Sequence, residues 1–85
     1  MLDVKKATEI ANSSFRFLYD NRLDSSKIQL EEVELTEDGK YWLVTLSYPI
    51  ESAIPGILQT RKEYKVFKLD AETGELQAMK VREVA

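Results

Sequence analysis

The segment at residues 64–76, YKVFKLDAETGEL, constrains the fold most, because it specifies a strand, a tight turn and a returning strand. The carboxylate of Asp70 is placed to accept hydrogen bonds from backbone amides two or three residues further along the chain. Thr73 follows, and Gly74 supplies the left-handed backbone conformation that closes such a turn. We therefore interpret Asp70, Thr73 and Gly74 as a structural turn between two antiparallel strands.

The acidic residues of this turn do not match a calcium loop. Asp70, Glu72 and Glu75 surround Gly74, but the EF-hand spacing of acidic residues, central glycine and terminal glutamate is not met. The glycines at positions 39, 56 and 74 are also too far apart to cradle a phosphate group. No metal-binding or cofactor-binding residue is therefore predicted.

The composition excludes most catalytic chemistry. The chain has 85 residues and contains neither cysteine nor histidine. These absences remove disulfides, nearly all zinc and copper ligation, and the Ser-His and Cys-His nucleophilic pairs. A chain of this length has room for one domain, which we place at residues 1–85. We expect no catalytic residue and no enzymatic activity.

The first part of the chain predicts an amphipathic helix. Asp3 is placed to cap its amino terminus, and the helix should run from Val4 to about Asp20 and Asn21. Apolar residues recur at spacings of three and four, which predicts one buried face. The residues of this predicted face are Ala7, Ala11, Phe15 and Leu18, widened by Ile10 and Phe17.

Four strands are predicted to follow the helix. Alternating apolar residues at 28–35 change phase, which predicts a β-bulge near Glu31 and Glu32. Further strands are expected at residues 41–48, about 61–69 and about 75–84, with a second bulge in the last. The fold class is therefore α+β, with one N-terminal helix packed on a four-stranded antiparallel meander sheet.

The charges are segregated along the chain. The formal net charge of −3 argues against a nucleic-acid partner, since phosphate binding needs clustered Lys and Arg. Residues 28–38 are acidic without a basic residue, whereas residues 61–68 carry four basic residues and one acidic residue. Two explanations remain open: charge pairing between strands of one sheet, or a bipolar binding surface.

An unusually apolar segment lies at residues 49–60, where two prolines and Gly56 interrupt the strand pattern. It either folds back over the sheet edge or exposes a contact patch for another chain. The candidate partner-binding residues in this segment are Ile50, Ile54, Ile57 and Leu58.

The aromatic residues also allow two interpretations. Core packing is one, and an aromatic platform or sheet-face interface is the other. The residues concerned are Tyr41, Trp42, Tyr48, Tyr64 and Phe67.

The helix followed by a meander that closes on Leu69-Asp70-Ala71-x-Thr73-Gly74-x-Leu76 resembles the PepSY domain family. In that family the final turn commonly reads Val-Asp-Ala-x-Thr-Gly before an apolar residue, and here Leu69 replaces the valine. The topology also resembles the broader cystatin-like arrangement, without the Gln-x-Val-x-Gly loop of cystatins. The resemblance to PepSY implies a non-catalytic module that restrains or regulates a partner enzyme.

We therefore expect a small non-catalytic domain that binds, inhibits or regulates an unidentified protein partner. One alternative is a small-ligand-binding domain with a cavity between helix and sheet, around Phe15, Trp42 and Tyr64. Another is a self-associating structural protein, for which a homodimer is one form. No stretch reaches the roughly 18 apolar residues of a membrane span, so no membrane insertion is expected. We expect a cytoplasmic location if the chain is complete, and the cell envelope or secretion if it is an excised domain.

Overall fold

The computed structural model describes residues 1–51 and 60–82. One helix, α1 (Val4–Leu18), precedes four strands: β1 (Gln29–Leu35), β2 (Tyr41–Glu51), β3 (Thr60–Asp70) and β4 (Leu76–Arg82). The strands form a single sheet in the order β1-β2-β3-β4, and every neighbouring pair is antiparallel. The predicted α+β class, with one helix packed on a four-stranded meander, is confirmed.

Helix α1 begins and ends where its capping residues predict. The Asp3 carboxylate accepts a hydrogen bond of 2.8 Å from the backbone amide of Lys6, which satisfies a free donor of the first turn. After the helix, Asp20 and Asn21 adopt positive φ angles of 53° and 57°, and the chain leaves the helical path. A short 3₁₀ turn at Ser25–Lys27, capped by the Asp24 carboxylate, then leads into β1.

The core lies between α1 and one face of the sheet. Its two largest buried side chains, Phe15 and Phe67, pack with their ring centroids 5.6 Å apart. The other buried members of this cluster are Ala7, Ala11, Val44, Leu46 and Leu69. The small alanines on α1 allow the helix to approach the sheet closely, while Phe15 fills the space near the carboxyl end of the helix.

Two residues of the predicted helix face are not buried. Phe17 is 74% exposed and Leu18 is 46% exposed, so the prediction that they belong to the buried face is wrong. At 100° per residue, Phe17 points almost directly away from Phe15. Leu18 occupies the last helical position and faces the uncovered margin of β4 near Leu76.

Both predicted bulges are present. The pairing of β1 with β2 shifts between Leu30 and Glu32, and the pairing of β3 with β4 shifts between Lys68 and Leu69. Each bulge restores the alternation of apolar side chains toward the helix.

Strand β2 extends further than the sequence predicts. It continues through Pro49 to Glu51, so the prediction that the strand pattern breaks at Pro49 is wrong. The pairing of β2 with β1 starts at Ser47, opposite Gln29, and Pro49 pairs with Lys62 of β3 alone. With no β1 residue beside it, the missing amide hydrogen of Pro49 is tolerated as at a sheet edge.

Candidate functional site

The sheet has one covered face and one face on which no described element packs. Helix α1 contacts β1, β2 and β3 on the face that carries Val44 and Phe67. We call the opposite side the open face. Because side chains alternate along each strand, the register assigns a defined set of residues to it. These residues are Gln29, Glu32 and Glu34 of β1, Tyr41, Leu43, Thr45, Ser47 and Pro49 of β2, Lys62, Tyr64, Val66 and Lys68 of β3, and Ala78, Lys80 and Arg82 of β4.

A groove with a volume of about 400 Å³ lies on this open face. Four apolar side chains and three basic side chains line it, together with Thr36. The apolar residues are Leu43, Val66, Ala78 and Val81, and the basic residues are Lys68, Lys80 and Arg82. The groove therefore combines apolar surface with positive charge in a chain that is acidic as a whole.

The basic residues of the groove are held in different ways. The Lys68 ammonium lies 4.2 Å from the centroid of the Tyr41 ring, a cation–π distance that orients its side chain. Lys80 is exposed and makes no ion pair within residues 1–51 and 60–82. Its charge is therefore available to a ligand.

Arg82 crosses the open face. Its Nη1 atom lies 3.0 Å from Glu32 Oε2 on β1 and 3.4 Å from the Thr45 hydroxyl on β2. This side chain covers the middle of the sheet, which explains why Thr45 is only 4% exposed on a face without a helix.

A second polar cluster covers the neighbouring part of the open face. The Ser47 hydroxyl donates a hydrogen bond of 2.7 Å to Glu31, and Lys62 Nζ lies 3.6 Å from the same carboxylate. The hydrogen bond from Ser47 and the charge of Lys62 lower the pKa of Glu31. The acidic and basic segments thus pair across the sheet at this point, as one of the two explanations from the sequence predicts.

The turn residues Asp70, Thr73 and Gly74 lie together between β3 and β4. The Asp70 carboxylate accepts hydrogen bonds from the amides of Glu72 at 2.8 Å and Thr73 at 3.0 Å. These amides, Thr73 foremost, lower the pKa of Asp70. Gly74 has a φ angle of 78°. Among the described residues, no group of three or more carboxylates is arranged to hold a metal ion.

Most of the predicted partner-binding residues lie outside the described part of the chain. Ile54, Ile57 and Leu58 fall within residues 52–59. Ile50 lies in β2, half-buried, and lines a pocket of about 110 Å³ together with Phe15, Tyr19, Leu23, Tyr48 and Glu63.

The aromatic residues do not form one platform. Phe67 is buried under the helix, with Trp42 and Tyr48 packed against the same core cluster. The register places Tyr41 and Tyr64 on the open face. Because Tyr64 lies on the opposite side of the sheet from Phe15 and Trp42, these three residues do not line a common cavity.

The sequence did not single out the groove, although it held a signal for it. Lys80 and Arg82 are two positions apart in a strand, so they share a face. Their proximity to Lys68, Val66 and Leu43 follows only from the pairing of three strands.

Comparison with models of known protein families finds no match, and comparisons with curated proteins and with solved structures find no similar protein. The resemblance to PepSY domains stays a prediction. Among the described residues there is no helix with the length and apolar character needed to span a bilayer.

Proposed function

We propose that this chain is a small protein-binding domain that receives an extended segment of its partner in the open-face groove. The observation that carries the proposal is the groove itself, which has an apolar floor at Leu43, Val66 and Ala78 and a margin of basic side chains. This surface is not part of the core, because the buried core cluster forms between α1 and the other face of the sheet.

The chemistry of the groove favours a partner segment in which acidic and apolar side chains are combined. Apolar side chains of the partner would bury the floor of the groove, and carboxylates would meet Lys68 and Lys80. Charges at the margin of a binding surface mainly determine association rate and partner choice, whereas the buried apolar contacts supply most of the affinity.

The resemblance of the closing hairpin to PepSY domains supports a regulatory role for this binding. In the modules that the hairpin resembles, binding restrains or regulates a partner enzyme. We propose the same consequence here, with inhibition or regulation of the bound protein rather than chemistry on it.

Nuclear magnetic resonance titration of the isotope-labelled chain tests the binding mode. The probe is a short peptide of alternating glutamate and leucine, and a peptide of alternating lysine and leucine is the control. The acidic peptide should shift the backbone amide signals of Leu43, Val66 and Ala78, and the basic peptide should leave them unchanged.

A charge reversal in the groove provides the matched variant. Lys68→Glu should weaken binding of the acidic peptide by about tenfold or more, a loss of about 1.4 kcal/mol. Lys5→Glu makes the same change of charge on the exposed surface of α1 and should bind like the unmodified chain. Equal responses to both peptides, or shifts confined to the helix, would overturn the proposal.

A further inference from the structure

The two edge strands of the sheet have the same length and run in opposite directions. β1 and β4 each contain seven residues, and within the part of the chain that the structure describes each has a neighbouring strand on one side only. Backbone groups on the outer side of such strands are unpaired within the sheet and can template pairing with another chain. Because the meander alternates direction, β1 and β4 are antiparallel to each other.

The charges on the open face distinguish the possible pairings of these edges. Glu34 of β1 and Lys80 of β4 make no ion pair with any described residue. β1 carries three glutamates and no basic residue, whereas β4 carries Lys80 and Arg82 and no acidic residue. A β1–β1 contact would therefore join two acidic strands, and a β4–β4 contact would join two basic strands. Only a β1–β4 contact places opposite charges side by side, which is the favourable cross-strand arrangement.

Exposed apolar side chains lie at the same two edges on the other face of the sheet. At β1, Leu30 is 48% and Leu35 is 36% exposed. At β4, Val81 is 66% exposed, and the exposed Phe17 and Leu18 of α1 flank a groove beside Leu76. A contact between β1 and β4 would therefore bury apolar surface from both copies on the helix side while it pairs charges on the open face.

The spacing of the elements allows this contact. Four strands at about 4.8 Å give a repeat of about 19 Å along the sheet. A helix with its side chains is about 10–12 Å across. Successive helices would thus leave a gap of about 7–9 Å between their side chains, which the exposed side chains of Leu30 and Leu35 from β1 and Val81 from β4 would fill.

We propose that copies of this chain associate head to tail, with the β1 edge of one copy pairing antiparallel with the β4 edge of the next. The partner at each edge is a second copy of the chain. Such a heterologous contact does not close into a dimer by symmetry, so it extends into an open array or a ring. The proposed contact shares Lys80 and Val81 with the peptide groove, but Lys68 lies on the central strand β3. Lys68→Glu should therefore weaken peptide binding and leave assembly unchanged.

Sedimentation velocity with edge-blocked variants tests the proposal. Leu35→Lys should block the β1 edge, and Val81→Lys should block the β4 edge. The unmodified chain should grow beyond a dimer as its concentration rises, whereas each variant alone should remain monomeric. An equimolar mixture of the two variants should form a dimer and nothing larger, because one variant retains β4 and the other retains β1.

Charge reversal gives a second measurement that is less disruptive to folding. Glu34→Lys and Lys80→Glu should each weaken association about tenfold, and the doubly substituted chain should recover it because opposite charges again meet. Lys5→Glu, away from both edges, is the control. An unmodified chain that stays monomeric up to millimolar concentration would overturn the proposal, as would a dimer formed by either edge-blocked variant alone.

Discussion

Substitution of Gly74 by alanine should destabilise the domain by about 2–3 kcal/mol, from two separable causes. The first is the backbone: Gly74 has a φ angle of 78°, a conformation that costs an L-residue about 1–2 kcal/mol. The second is packing, because an added Cβ would lie 2.6 Å from Ile10 Cδ1 and 2.9 Å from Leu2 Cδ1. Relieving these overlaps requires both side chains to move, at a cost of about 1 kcal/mol.

Gly39 provides the matched control for the backbone contribution. It adopts nearly the same φ angle, 72°, but an added Cβ would meet no atom within 4 Å. Gly39→Ala should therefore cost only the conformational part, about 1–2 kcal/mol. The difference between the two variants measures how tightly the turn between β3 and β4 packs against α1.

Urea unfolding followed by the fluorescence of Trp42, the only tryptophan, measures both changes. In thermal unfolding of a domain of this size, a loss of 1 kcal/mol in the free energy of unfolding lowers the melting temperature by about 4–8 °C. Ile10→Val removes the Cδ1 atom closest to the added Cβ, so in that background Gly74→Ala should cost less. Equal destabilisation by Gly74→Ala and Gly39→Ala, or no relief from Ile10→Val, would refute this account of the turn.

Two further perturbations test the turn and the core. The amides of Thr73 and Glu72 lower the pKa of Asp70, so its contribution to stability is present above the usual carboxyl range and is lost as the pH falls through the lowered pKa. Asp70→Asn should therefore reduce the fall in urea midpoint between pH 7 and about pH 3, and an unchanged fall would contradict this. Phe15→Ala should cost about 3–5 kcal/mol by opening a cavity against Phe67, whereas Phe17→Ala should change the unfolding free energy by less than about 0.5 kcal/mol. Equal urea midpoints for these two alanine variants would show that the helix is packed differently.

The elements could be predicted from sequence where a local signal specified them. Asp3 caps the helix through a contact three residues away, and Gly39 and Gly74 occupy turns that need positive φ angles. The bulges could be predicted because, in a strand that buries one face, a bulge shifts the alternation of apolar residues by one position. The continuation of β2 through Pro49 was missed, because it depends on where the neighbouring β1 begins, which no local pattern records.

The site could not be predicted in the same way. Its floor combines Leu43, Val66 and Ala78 from three strands, so it exists only once the registers of two strand pairs are known. Sequence reasoning instead selected the most apolar loop, with Ile50, because hydrophobic composition is visible without a register. Similarly, Phe17 fits an apolar spacing along the helix, but it points almost directly away from the buried Phe15 and so remains exposed.

The open face is covered by charged side chains at one end and carries a groove at the other, because the single helix α1 covers only the opposite face of the sheet. At one end of that face, long charged side chains replace a second layer: Arg82 lies over Thr45, and Glu31 accepts from Ser47, which is only 1% exposed. At the other end no such layer forms, and Leu43 and Val66 line a groove beside Lys68. An ion-pair layer stabilises little by itself at a solvated surface, but its aliphatic stems exclude water from the strands beneath. The binding surface we propose is therefore the part of the open face that this charged layer leaves uncovered.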